Sequence, residues 1–110
     1  MKVEIKEIEG ITVMNLTGRI DAATAPQLEE EWHNIMTQEK NKVVINFKRV
    51  DYISSGGLRV LLLAAKEMKA RDGILRFCHL DPNVYKIFKL AGFTSIFNIY
   101  ETEEEAVRDI

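Results

Sequence analysis

The sequence predicts an α/β domain built on a mixed, mostly parallel sheet with helices packed against it. Three observations predict it. Stretches with the two-residue period of a strand and stretches with helical spacing follow one another along the chain. The run Val43-Val44-Ile45-Asn46-Phe47 is apolar and β-branched, the pattern of a strand covered on both faces. Leu, Ile, Val and Phe supply 34 of the 110 residues, enough to fill one core, so residues 1–110 are expected to form a single domain.

The elements can be justified in order. Lys2-Val3-Glu4-Ile5-Lys6 alternates polar and apolar residues, and Glu9-Gly10 supplies a turn into a second, more buried strand, Ile11 to Leu16, closed by Gly18. Leu28, Trp32, Ile35 and Met36 fall on one face of a helix. Thr24-Ala25-Pro26-Gln27 offers that helix a threonine cap, a first-turn proline and a glutamine three positions on, and Asn41 is its expected stop. Val43 to Phe47 follows as a strand, and Gly56-Gly57 opens a second helix with Leu58, Leu61, Leu62, Ala65 and Met68 on its core stripe, ended by Gly73. Ile74 to Leu80 reads as the next strand. Asp81-Pro82 is a cap and first-turn proline for a third helix, with Val84, Ile87, Phe88 and Ala91 inward and Gly92 at its end. Phe97 to Tyr100 is a short last strand, and Thr102-Glu103-Glu104-Glu105 is a capping box for a closing helix. The order β-β-α-β-α-β-α-β-α implies right-handed crossovers between parallel strands, with the hairpin contributing antiparallel pairing.

Composition narrows the function. Fifteen basic against 17 acidic residues leave a net charge of −2, which argues against broad binding to nucleic acid or to an anionic membrane surface. The longest apolar run, Val60 to Ala65, is too short to cross a bilayer, and Met1 to Lys6 lacks a signal-peptide core, so a cytoplasmic protein is expected. A single cysteine excludes an internal disulfide framework and a cysteine metal cluster. Glu103-Glu104-Glu105 reads as a solvated helical turn, and no metal site is expected.

The unusual segment is Val50-Asp51-Tyr52-Ile53-Ser54-Ser55-Gly56-Gly57-Leu58-Arg59. It lies where a central strand hands over to a helix, so two hydroxyls stand at a helix N-terminus whose dipole and free N–H groups favour added negative charge. Simple capping by serine and turn formation by glycine explain the same residues equally well on local grounds. A nucleophilic enzyme would need glycines flanking the serine at two-residue spacing and a base, and only His33 and His79 exist. Gly56-Gly57 is too short for a phosphate-binding loop, with no lysine in register. No catalytic residues are expected.

Asp51-Tyr52-Ile53-Ser54-Ser55-Gly56-Gly57-Leu58-Arg59-Val60-Leu61-Leu62 resembles the signature of the STAS domain family, in particular the small bacterial anti-sigma factor antagonists. Gly18-Arg19-Ile20-Asp21-Ala22-Ala23-Thr24-Ala25 is similar to that family's second hallmark, the turn before helix one. Val43 to Phe47 matches the strand leading into the signature, and Leu90-Ala91-Gly92-Phe93 matches the usual end of helix three. The resemblance covers nearly the whole chain.

What it implies is partner switching. In such antagonists a serine kinase of the GHKL ATPase type, itself the anti-sigma factor, phosphorylates one serine at the start of helix two. The unmodified form binds that kinase and frees its sigma factor, the phosphorylated form lets go, and a PP2C-type phosphatase resets the cycle. ATP belongs to the kinase, so this chain needs no cofactor, and it is expected to be a monomer when free. The commonest family patterns read Asp-Ser-Ser-Gly-Leu-Gly or Asp-Ser-Ala-Gly-Leu-Gly. Aligned on Gly57-Leu58, Ser55 takes the serine common to both, with Ser54 the fallback. Ser54 replaces the usual Asp, Gly56 the second Ser or Ala, and Arg59 the following Gly. The resemblance thus assigns phosphorylation to Ser55 and partner contact to Asp21, Ser54, Gly56, Gly57 and Arg59. The alternative it leaves is a STAS scaffold that binds a partner without being phosphorylated.

Overall fold

A computed structural model describes all residues, 1–110. β1 (Lys2–Ile8) and β2 (Ile11–Ile20) form the expected hairpin. Glu9 and Gly10 both take positive φ, 49° and 84°, as a two-residue turn matched to the twist of its strands requires. β2 does not end at Gly18. It continues to Ile20 through two register shifts against its neighbour, and Gly18, at φ 112°, lies at the second of them. The glycine makes an irregularity in the strand rather than a stop.

The chain then alternates α1 (Ala25–Thr37), β3 (Lys42–Ile53), α2 (Ser55–Ala70), β4 (Ile74–Cys78), α3 (Pro82–Leu90), β5 (Asn98–Tyr100) and α4 (Glu103–Ala106). An unforeseen 3₁₀ turn at Phe93–Ser95 follows α3. The strands lie in the order β1-β2-β3-β4-β5, parallel from β2 onward. Since each crossover moves one strand in the same direction, right-handed connections put α1, α2 and α3 on one face. That face holds the main core, in which Met14, Leu16, Val43, Ile45, Phe47 and Phe77 of the sheet meet Leu28, Trp32, Leu61 and Phe88 of the helices. All five phenylalanines join it, in edge-on pairs with centroids 4.7–6.0 Å apart.

The alternate side chains Ile11, Val13, Val44 and Cys78 form a smaller core closed by Ala106 of α4. β3 is therefore covered on both faces, as its composition predicts. Burial pushes the Cys78 thiol up to about 12, which leaves it an inert packing group. Glu103 pins α4 to this face by accepting from the Asn46 amide (3.0 Å) and the Lys6 ammonium (2.9 Å). Burial raises the pKa of that carboxyl, but those hydrogen bonds and the Lys6 charge outweigh it and hold the group below the usual glutamate range. With the folded pKa below the unfolded one, its contribution is complete above that range and vanishes as pH falls through the lowered value. Glu103→Gln is thus expected to be less stable near neutrality and to lose less stability than the parent on acidification, measured as melting temperature between neutral and strongly acidic pH.

Several helix details depart from expectation. The buried stripe of α2 is Gly57, Val60, Leu61, Ala64 and Met68, while Leu58, Leu62 and Ala65 flank it half-buried. At Gly57 the helix packs directly on Ile20 and Ile53, with no room for a side chain between them. Glu39 and Asp72 take the left-handed positions after α1 and α2 (φ 58° and 56°), where Asn41 and Gly73 were expected to act. Gly73 has a different reason to be glycine, because a Cβ there would sit 2.8 Å from the Asn41 carbonyl oxygen. β4 stops at Cys78, not Leu80, since His79 turns to φ 56°. β5 begins at Asn98, leaving Phe97 as a core residue ahead of the strand. Ala91 is the C-cap of α3 and is exposed, so it is not part of the buried stripe. The Asp81 cap (Asn83 N–H, 2.8 Å), the left-handed Gly92 and the Thr102 cap (Glu105 N–H, 3.2 Å) follow the sequence reading.

Candidate functional site

The carboxyl ends of β2 and β3 lie side by side, and the chain leaves each of them into a loop. Ile20, the last residue of β2, accepts a hydrogen bond through its carbonyl from the Ser54 N–H at 2.8 Å, which ties the two loops together. Ser54 caps α2 from an extended conformation. Its Oγ accepts from the Gly57 N–H (3.2 Å) and its carbonyl accepts from the Leu58 N–H (2.9 Å). Half-buried and held at three points, Ser54 has its hydroxyl engaged.

Ser55 opens the first turn of α2 one residue later. Its side chain is exposed and its hydroxyl makes no hydrogen bond within the chain. The backbone N–H groups at the start of a helix have no intrahelical partner, so this hydroxyl sits beside free donors and the positive end of the dipole.

The two glycines that follow are different. A Cβ on Gly56 would lie 3.7 Å from Ser54 Oγ and 3.8 Å from Ala25 Cβ, ordinary contact distances, and the position is half-buried. A Cβ on Gly57 would collide with Ile20 Cγ2 at 2.6 Å and Ile53 Cγ1 at 2.7 Å. Gly57 is buried, and what it touches is the ends of β2 and β3, so it shapes the corner from inside rather than facing outward.

Asp21 lies in the loop after Ile20. Its Oδ1 accepts from the N–H groups of Ala23 and Thr24, both at 3.0 Å. The threonine cap expected at Thr24 is not made. The Thr24 hydroxyl instead accepts from the Asp21 N–H (2.9 Å) and donates to the Arg19 carbonyl (2.9 Å), while the Gln27 amide reaches Met1 O. Asp21 orders the turn ahead of the helix instead, because two backbone N–H groups converge on one carboxylate oxygen. The Thr24 N–H foremost holds the Asp21 carboxyl below the usual range, joined by the Ala23 N–H, the Thr24 hydroxyl and the Arg19 charge against partial burial. Arg19 Nε stands 3.3 Å from Oδ2, with its guanidinium over the Tyr52 ring at 4.8 Å. Asp21 therefore organises the loop next to Ser54, and its side chain is spent within that loop.

Arg59 lies one turn after Ser55, at the spacing that brings side chains onto one face. Its guanidinium pairs with Glu29 of α1 at 3.0 Å. Glu29 was not foreseen, since nothing in its own neighbourhood marks it and only the α1–α2 packing brings it to Arg59.

The site is a corner, not a crevice. The strand order never reverses, so the sheet has no switch point between oppositely directed crossovers. A cleft of about 930 Å³ lies on the β4–β5 side and is lined by Lys48, His79, Tyr85 and Tyr100, among others. His79 belongs there and His33 is an exposed residue of α1. Neither hydrogen-bonds Ser54 or Ser55. No three His, Cys, Asp or Glu side chains converge to hold a metal ion, and no helix is long and apolar enough to cross a membrane.

Comparison with known proteins places the corner in context. Residues 2–106 match the sequence profile of the STAS domain. Over 106 residues the chain is 40% identical to a Bordetella bronchiseptica protein named as a candidate anti-sigma factor antagonist, BtrV, covering 96% of this chain and 91% of that one. Its fold superposes on a candidate anti-sigma factor antagonist of Thermotoga maritima with a TM-score of 0.93 at 17% identity, covering 98% and 93% of the two chains. The Bacillus cell fate determinant SpoIIAA, solved in its phosphorylated form, gives a TM-score of 0.74 at 22% identity, covering 96% of each chain.

Proposed function

Because the chain belongs to the STAS domain family, we propose that it is an anti-sigma factor antagonist whose binding is switched by phosphorylation of Ser55. The observation that carries this reading is the contrast between the two serines. Ser54 is half-buried with its Oγ engaged in capping α2, whereas Ser55 is exposed and unbonded at the same helix N-terminus. A kinase needs an accessible hydroxyl, and the product needs a place where charge is tolerated. The start of α2 meets both requirements. The relative SpoIIAA, solved in a phosphorylated form, shows this fold accommodating a phosphoryl group in that protein.

In this reading the partner is an anti-sigma factor that is also a serine kinase of the GHKL ATPase type. It meets the corner formed by Asp21, Ser54, Ser55, Gly56 and Arg59, while Gly57 supports the surface from beneath. The unmodified protein holds that kinase in the cytoplasm and frees its sigma factor. Phosphorylation ends the contact, and a PP2C-type phosphatase restores it. The protein itself carries no catalytic group and no cofactor.

Incubation with ATP and the cognate kinase tests the assignment by intact mass and peptide mapping. The expected result is addition of a single phosphoryl group, on Ser55, removed by the phosphatase. Modification of Ser54 would move the switch by one residue, and an unmodified chain that still binds the kinase would leave a passive STAS scaffold as the correct reading.

A further inference from the structure

β1 is an outer edge of the sheet. In an antiparallel ladder, residues alternate between pairs that exchange both backbone hydrogen bonds and pairs that exchange none. The two-residue turn at Glu9-Gly10 closes on the bonded pair Ile8–Ile11. Lys2, Glu4, Lys6 and Ile8 therefore bond inward to β2, and Val3, Ile5 and Glu7 direct their N–H and C=O groups outward. No turn or loop elsewhere in the chain takes up those groups. Ile5, at the centre of this edge, is 44% exposed.

The charges on the edge are complementary to their own reverse. If a second copy of β1 lies antiparallel about a two-fold axis through Ile5, the outward residues pair as Ile5 with Ile5 and Val3 with Glu7, and all three find bonded partners. The non-bonded pairs, where side chains approach most closely, are Glu4 of one copy against Lys6 of the other, twice. Sliding the second copy by one pairing step sets Glu4 against Glu4 or Lys6 against Lys6, which like-charge repulsion disfavours. Lysines of one sign are a common way to blunt an edge. Here the signs alternate, so the edge repels a misregistered copy and accepts one in register. Lys6 already holds Glu103 at 2.9 Å on the same face, and the Glu4 of a second copy would complete a carboxylate pair around it. The Lys2–Glu4 contact that would be exchanged is fully on the surface (3.4 Å).

We propose that the β1 edge is a self-association surface, and that the second copy adds its own β1 antiparallel in the Ile5–Ile5 register to make one continuous sheet across the dimer. The contact is small, so the dimer is weak and concentration-dependent. It lies apart from Ser55, and it stands or falls independently of the phosphorylation switch.

Sedimentation analysis of the unphosphorylated protein from micromolar to millimolar concentration tests this. The weight-average mass is expected to climb from monomer toward dimer. Ile5→Pro removes an outward N–H without touching the ladder to β2, as edge prolines do, and is expected to remain monomeric throughout with an unchanged fold by circular dichroism. Glu4→Lys places lysine against lysine twice and is expected to weaken association roughly tenfold. A parent protein that stays monomeric at all concentrations overturns the proposal. So does a dimer that both variants form as well as the parent.

Discussion

Phosphorylation of Ser55 is expected to weaken binding to the anti-sigma factor roughly a hundred- to several-thousand-fold. The basis is the cost of leaving a charge buried and unpaired in an interface shaped around a neutral hydroxyl, about 3–5 kcal/mol at about 1.4 kcal/mol per tenfold. Ser55→Asp carries less charge and is expected to act in the same direction with a smaller effect. Ser55→Ala is expected to keep the affinity of the unmodified protein and to become insensitive to ATP. Titration calorimetry of the three forms against the purified partner reads this directly. Equal affinities for the phosphorylated and unmodified forms would sink the switch. The free domain, in contrast, is not expected to melt lower when phosphorylated. The added charge meets unbonded N–H groups at the start of α2 and has Arg59 one turn away, free to leave Glu29. The switch then resides in the interface, with no refolding of the antagonist.

The second large effect concerns stability. Gly57→Ala is expected to cost about 2–3 kcal/mol and to lower the melting temperature by roughly 10–20 °C. Its Cβ has branched side chains of Ile20 and Ile53 within 2.7 Å, and both are buried strand ends that have nowhere to move. Gly56→Ala, one residue earlier, meets nothing closer than 3.7 Å and replaces a poor helix former by the best. It is expected to melt at or slightly above the parent temperature. Thermal denaturation of the two variants side by side separates a packing requirement from a general need for glycine in the loop, and equal melting temperatures would refute it. The pair also guards the binding experiment, because a Gly57 variant that binds poorly does so through the fold.

The corner was legible in part. Ser54-Ser55-Gly56-Gly57 stands at a strand-to-helix junction where capping and turn formation explain the residues locally, and its resemblance to the STAS signature is what singles it out. Which serine caps α2 depends on where the chain leaves β3, and the Ser54 N–H bond to the Ile20 carbonyl, between residues 34 apart in the chain, holds that point in place. Asp21, a partner contact by resemblance, lies in the loop adjoining Ser54. Its capping of the turn, in place of Thr24, follows from donors converging on its carboxylate, a matter of loop geometry. Arg59 was read as a partner contact, yet in the isolated chain it holds Glu29, because α1 and α2 run side by side over the sheet. The buried stripe of α2, which includes Ala64 and leaves Leu62 at the margin, likewise depends on contact between distant segments, Gly57 against Ile20 and Ile53 among them.

By itself the sequence determined the order of strands and helices, the parallel crossovers, the Asp81 and Thr102 caps and the Gly92 terminus. Each depends on periodicity or on hydrogen bonds within a few residues, which any solvent-exposed segment would also favour. Only the tertiary structure decided the far end of β2, the early stop of β4, the choice between Ser54 and Ser55 as the free hydroxyl, and the self-complementary outer edge of β1. These depend on distances between segments far apart in the chain, and such distances exist only once the sheet has assembled.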